Sequence, residues 1–325
     1  MELRKPDFYD MFHCIAACCP DSCCKEWDVA VDAQKAALYR GLPGALGEKL
    51  REFLQDEDGD TYLTLDNGRC PMWRADGLCR IQAELGEHAL CNTCRDFPRL
   101  RHDYGSFTEL GLELSCPESA RILLSREGWS WASQGKAEEK TDYDRDMDLL
   151  LKTRQTAMDL VTGAEEPLSA LLLYTYHAQA ILDGEEEAPF DLSAAMETAG
   201  DLAGPGDREA FLEVFRDLEI LTEPWRKRLA SPSPRPLQKE DRALLRYLIS
   251  RYWLQAISDF DLVCRGKLIV SLALLCRILG GDAVQTAQLM SKEIENDAEN
   301  IDALLDGAYT TPGLTDANLL ALARE

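Results

Sequence analysis

The sequence predicts a mainly α chain in two parts: a small cysteine-rich module with short β hairpins over residues 1–128, then an all-helical domain over 129–325. Three observations carry that reading. Ten of the twelve cysteines fall within the first 116 residues. Apolar residues of the second half recur at helical spacing, as in Leu245, Leu248, Ile249, Tyr252, Trp253 and Ala256. No strand–helix alternation and no glycine-rich phosphate loop is present, so a Rossmann-type core is not expected.

In chain order, residues 1–28 read as irregular, with cysteines on turns. Residues 31–54 read as a helix interrupted at Gly41-Leu42-Pro43-Gly44. The acidic run Asp56-Glu57-Asp58-Gly59-Asp60 reads as a solvated loop. It lacks the distal glutamate of a calcium loop. Tyr62-Leu63-Thr64-Leu65 before Asn67-Gly68 suggests a short strand and a hairpin turn. Residues 80–90 are expected to be a short helix and 106–114 another strand, with Pro117 opening the helix that follows. Helical spacing then covers 145–162, 167–183, 208–223, 241–257, 260–279, 282–306 and 316–324. Residues 184–207 read as a loop, and Ser231-Pro232-Ser233-Pro234-Arg235-Pro236 as a stiff connector.

The formal net charge is -23. It divides into 13 basic against 22 acidic residues over 1–120 and 22 against 36 over the rest, so the acidity is spread along the chain. That distribution excludes non-specific nucleic-acid binding, which needs a basic face. It favours a basic or lysine-bearing partner, besides aiding solubility. No signal-type apolar run follows Met1, and the longest apolar stretch, residues 268–276, is about half the length of a bilayer span. A cytoplasmic protein with no membrane partner is expected.

In a reducing compartment, clustered thiols point to metal binding or redox chemistry rather than disulfides. Cys14, Cys18, Cys19, Cys23 and Cys24 crowd into eleven residues, and Cys91-Asn92-Thr93-Cys94 is a C-x-x-C. Cys70, Cys79 and Cys116 each adjoin a glycine-bearing turn or a proline. Thiolates suit both zinc and iron–sulfur clusters, and the spacings match neither a zinc ribbon nor a ferredoxin run, so spacing leaves the metal undecided. Cys264 and Cys276, in an apolar helical stretch, read as small core residues.

A set of fragments goes further. These are Phe12-His13-Cys14-Ile15, Cys19-Pro20-Asp21-Ser22-Cys23-Cys24 with Trp27, and Cys70-Pro71. With them stand Gly77-Leu78-Cys79-Arg80-Ile81-Gln82 with Leu85-Gly86-Glu87, Cys94-Arg95-Asp96-Phe97-Pro98-Arg99, and Ser115-Cys116-Pro117-Glu118. Together they resemble the flagellin lysine N-methylase family. They are also similar to a broader group of small bacterial proteins described as zinc- or iron-chelating. The resemblance is dense over residues 10–125 and loose beyond.

The resemblance implies transfer of a methyl group from S-adenosylmethionine to lysine side chains of flagellin, with dependence on an iron–sulfur cluster, 4Fe-4S in type, or zinc as the alternative. The rival readings are a zinc-stabilised protein-binding module and a metal or redox protein without methyltransferase activity. Carried over residue by residue, the metal-ligand candidates are Cys14, Cys19, Cys23, Cys24, Cys70, Cys79, Cys94 and Cys116, while Cys18 and Cys91 fall outside the pattern. Eight thiols exceed the four that one cluster needs, and the preferred inner set is Cys19 or Cys23 with Cys79, Cys94 and Cys116. Arg95 and Arg99, in a basic knot with Arg101 and His102, are candidates to hold the cofactor's carboxylate or tune the cluster, or else pair with nearby acids. Arg251 and Tyr252 are candidates for a nucleoside pocket, or else part of a core aromatic stripe. No catalytic residue is assigned.

Overall fold

A computed structural model describes residues 2–135, 143–186, 188–202 and 204–325. The described residues are 58% helical and 11% strand, which bears out the mainly α expectation. The N-terminal part holds β1 (Glu2–Pro6), β2 (Val29–Ala30), α1 (Ala33–Gly41), α2 (Gly44–Phe53), β3 (Leu54–Glu57), β4 (Asp60–Leu63), α3 (Arg80–Leu85), α4 (Asn92–Asp96), β5 (Arg99–Asp103), β6 (Phe107–Leu112), α5 (Pro117–Leu124) and β7 (Trp131–Gln134). The helices that follow are α6 (Tyr143–Gly163), α7 (Pro167–Leu182), α8 (Leu192–Leu202), α9 (Arg208–Arg216), α10 (Glu223–Ala230), α11 (Lys239–Tyr252), α12 (Leu262–Leu279), α13 (Ala283–Met290), α14 (Ala298–Gly307) and α15 (Asp316–Arg324). A π turn, Ser291–Glu295, joins α13 to α14.

Local chemistry explains most boundaries. The Asp32 side chain caps α1 by accepting from the Lys35 amide. Pro117 and Pro167 open α5 and α7, where a missing N–H costs nothing. Asp261, Asp282 and Asp297 cap α12, α13 and α14. Gly280 ends α12 at φ +69, with the Ser233 carbonyl where a Cβ would sit, so only glycine fits there.

Several expectations need correction. The hairpin of β3 and β4 turns at Asp58-Gly59, both at positive φ, so the acidic run is hairpin rather than loop. Asn67-Gly68 instead closes a tight turn bridging Asp66 to Arg69. The stretch 184–207 contains α8. The helix expected over 208–223 ends at Arg216, and a separate α10, capped by Thr222, follows. The strand β7 lies inside the stretch expected to be all helical.

Two sheets form. One has the order β2-β4-β3, and the other β5-β6-β1-β7. In the second, β1 runs parallel to β6, with Glu2 opposite Phe107, and antiparallel to β7, with Pro6 opposite Trp131. There are likewise two apolar cores. A small one gathers Val29, Val31, Tyr39, Leu50, Leu63, Met72 and Ile81 with Cys70 and Cys91. The large one unites Phe8, Phe12, Phe107 and Leu114 with the helices around the nearly wholly buried α12. A buried two-pronged ion pair, Arg154 to Glu109 at 2.7 Å on each prong, fastens α6 to β6. No helix among the described residues is long and apolar enough to cross a membrane.

Candidate active-site cleft and its cysteines

The irregular N-terminal segment, α4 and the π turn meet around a cleft of about 520 Å³. That volume suits a small-molecule or side-chain ligand. Its wall includes Cys23, Trp27, Cys94, Phe97, Glu113, Lys292 and Glu293.

Each wall has a local cause. The loop carrying Cys14 to Cys19 turns at Ala16, φ +49, and packs on Gly77, whose missing Cβ admits the Ala17 backbone. The C-x-x-C turn is pinned to β2: Asp32 accepts from the Asn92 amide at 2.9 Å, and the Thr93 hydroxyl donates to the Ala30 carbonyl at 2.8 Å. Glu113 leaves β6 with its amide on the Pro98 carbonyl at 2.8 Å, beside Phe97. The rings of Trp27 and Phe97 lie 6.4 Å apart.

Lys292 joins the halves. It is buried, donates to Asp21 at 3.1 Å, pairs with Glu26 and lies 5.5 Å over the Trp27 ring. Gln288 donates to both Asp21 and the Ser115 carbonyl, at 3.1 and 2.7 Å. Glu293 accepts from the Leu221 amide at 2.8 Å and from the Thr222 hydroxyl, so it latches the connector between α9 and α10. Glu113 is different: it is nine-tenths buried, and its Oε1 has no hydrogen-bond partner. Burial pushes both carboxyls above the ordinary range.

The cysteines converge around this cleft. Cys23 lies within electrostatic reach of Cys24, Cys14 and Cys116, and Cys94 within reach of Cys91, Cys24 and Cys23. Cys70 and Cys79 each sense Cys24 and Cys91. Hydrogen bonding from the Cys23 thiol draws Cys24 down to about 7 and pushes Cys23 itself up. Cys94 does the same for Cys91, also to about 7. Burial pushes Cys70 up to about 12 and Cys116 up to about 11. Among the described residues no three His, Cys, Asp or Glu side chains stand at ion-holding distance. The donor chemistry nonetheless fits a thiolate-bound metal, because a neighbouring thiol lowers Cys24 and Cys91 toward the thiolate form that binds an ion.

Of the eight sequence candidates, Cys23 and Cys94 line the cleft, and Cys18 is exposed outside its wall. Cys91 was set aside on pattern, yet it is buried and hydrogen-bonded to Cys94; the C-x-x-C itself was the signal. Cys264 and Cys276 are buried in α12. Arg95 forks onto Asp96 at 2.9 and 3.0 Å at the surface, and Arg99 lies 5.2 Å over the Phe12 ring. Arg251 and Tyr252 do not line the cleft. They form a buried polar cluster in which Arg251 pairs with Glu295 at 3.0 Å, and Tyr252 and Tyr247 donate to that same carboxylate at 2.9 and 3.1 Å. The acids Glu113 and Glu293 were not singled out for the site; only their convergence in three dimensions marks them.

No family profile and no solved structure matches the chain. Curated proteins do. The chain is 35% identical over 132 residues to the flagellar biosynthetic protein FliU of Salmonella muenchen, which covers 37% of this chain and 76% of that protein. The chain belongs to the flagellin lysine N-methylase family. It is also 34% identical over 132 residues to the lysine-N-methylases of Salmonella typhimurium and Salmonella choleraesuis. Those matches cover 37% of this family member but only 32% of each methylase, so the chain matches about a third of their length.

Proposed function

We propose that this protein transfers a methyl group from S-adenosylmethionine to lysine side chains of flagellin, at the cleft bordered by Cys23 and Cys94. The observation that carries this is the joining, in one cleft, of clustered thiols, two aromatic walls and buried carboxylates in a chain related to lysine-N-methylases. Cys19, Cys23, Cys79, Cys94 and Cys116, with Cys24 and Cys91 beside them, would hold an iron–sulfur cluster, with zinc as the alternative. Such a cluster, when bound, would supply a Lewis-acidic contact for the amino and carboxylate groups of the cofactor.

The chain's own residues account for the rest. Trp27 and Phe97 offer apolar faces to a purine or to lysine methylenes. The carboxylates Asp28, Glu113, Glu219 and Glu293 make the cleft attractive to cations, and both a sulfonium and a lysine ammonium are cations. Lys292 does not cancel this, being committed to Asp21 and Glu26.

A zinc-stabilised binding module is the second reading, favoured by the burial of Cys70 and Cys91 in the small core. One assay separates them. Anaerobically purified protein, given S-adenosylmethionine with a labelled methyl group and purified flagellin, is expected to place label on flagellin, recovered as N-methyllysine after hydrolysis. A metal-replete protein that leaves flagellin unlabelled overturns the methyltransferase reading.

A further inference from the structure

We infer that Glu113 receives the ammonium of the incoming lysine in the cleft and takes its proton, so that the lysine attacks as a neutral amine. This inference rests on the methyltransferase reading above. Methyl transfer needs the nitrogen lone pair, which a lysine ammonium lacks at neutral pH. Something in the cleft must accept that proton.

The other candidates are occupied or exposed. Glu293 spends both oxygens on the connector between α9 and α10. Lys292 is already a cation held by Asp21 and Glu26. Asp28 is exposed and accepts from the Leu65 amide at 2.9 Å, and Glu219 is exposed on the connector across the cleft. Cys23 and Cys94 each share their proton with a neighbouring thiol. Glu113 alone among these combines a place in the cleft wall, near-complete burial and an oxygen without a partner. A buried polar atom left unpaired is costly, and an arriving ammonium would satisfy it.

Its surroundings suit the task. Burial raises the Glu113 carboxyl, Arg251 opposes that rise, and Glu295 adds to it. The net upward shift brings the carboxyl closer to the pH at which a general base works best.

The step balances as follows. The lysine ammonium passes one proton to the Glu113 carboxylate, which becomes a carboxylic acid. The freed nitrogen lone pair forms the bond to the methyl carbon of the sulfonium donor. The carbon–sulfur bond breaks with its electron pair moving to sulfur, which departs as a neutral thioether. The product is a secondary ammonium, and Glu113 returns its proton to solvent before the next turnover.

Glu113→Gln keeps the shape and removes the base. At neutral pH it is expected to slow methyl transfer by about 100-fold. The remaining rate should climb about tenfold per pH unit as the lysine loses its proton unaided, while the wild type levels off at much lower pH. Binding gives a second readout that needs no turnover. Quenching of tryptophan fluorescence should show the wild type preferring a lysine peptide over its norleucine counterpart by about tenfold, and Glu113→Gln losing that preference. Should the glutamine variant fail to fold, Glu113→Asp replaces it, with an expected loss of about tenfold from a withdrawn carboxylate and an unchanged pH profile. A wild-type rate and pH profile in either variant overturns the Glu113 assignment and leaves the methyltransferase reading standing. A wild type that methylates no lysine overturns both.

Discussion

Replacing Cys23 and Cys94 together by serine is expected to cut methyl transfer by about 100-fold or more and to strip bound metal from the protein. Both side chains line the cleft, on opposite elements: Cys23 on the irregular N-terminal loop and Cys94 on α4. Each also shares a proton with its neighbour, Cys24 or Cys91, so each stands at the open edge of a thiol pair. Serine preserves size but supplies a hydroxyl, a far poorer ligand than a thiolate for zinc or iron. Cys18→Ser is the control. Cys18 is exposed outside the cleft wall, so metal content and transfer should stay within about twofold of wild type. Metal analysis and the labelled-methyl assay on both variants decide the matter. Full metal loading and full transfer in the double variant would remove these thiols from the account.

The second large effect is expected at Lys292. Its ammonium is 2% exposed and neutralises Asp21 and Glu26, whose side chains are 20% and 27% exposed. Glu26 itself sits at φ +75, an uncommon conformation for a glutamate, held in part by its amide on the Gly68 carbonyl. Lys292→Met removes the buried cation and leaves the two carboxylates facing an apolar thioether, with only Lys25, at 2.8 Å from Asp21 and 3.2 Å from Glu26, to offset them. Breaking a buried pair from one side costs about 3–5 kcal/mol, and the partial exposure of the acids, with Lys25 still beside both, points to the lower end. A fall in melting temperature of roughly 5 °C or more follows for a chain of this size. Adding Glu26→Gln should recover part of the loss, because Lys25 then has one carboxylate to offset instead of two. A Lys292→Met protein as stable as wild type would show that the N-terminal loop is held to the π turn by other contacts.

The sequence made the helices legible because their causes are local. Pro167 sets the start of α7, and Asp261 and Asp282 cap α12 and α13 within three residues of what they cap. The missed helix, α8, lies between acidic and glycine-rich stretches whose composition masked a short amphipathic run. The missed sheet has a different cause. Strand β1 pairs with β6 about a hundred residues away, and no short-range pattern announces a pairing across that distance. The hairpin turn was misplaced because two Asx-Gly signals, Asp58-Gly59 and Asn67-Gly68, lie close together, and tertiary context chooses between them.

The candidate site divides along the same line. The thiols are legible by count and clustering, and of the eight implied by the resemblance Cys23 and Cys94 line the cleft. Cys91 was excluded by pattern, although its spacing to Cys94 is the plainest metal-type signal in the chain. Glu113, Lys292 and Glu293 come from segments far apart in sequence and meet only through the fold. Arg251 and Tyr252 stood out as an aromatic and cationic stripe, and the structure gives them buried partners in Glu295 and Tyr247.

The central claim is a thiolate-bound metal centre at the edge of this cleft, and metal analysis of the anaerobically purified protein tests it most directly. Iron, acid-labile sulfide and zinc should be measured per chain on the same sample as the visible spectrum. The account predicts about four iron and four sulfide per chain with broad visible absorption. One zinc per chain in a colourless sample would contradict the cluster, and protein that retains no metal at all would contradict the thiolate centre itself.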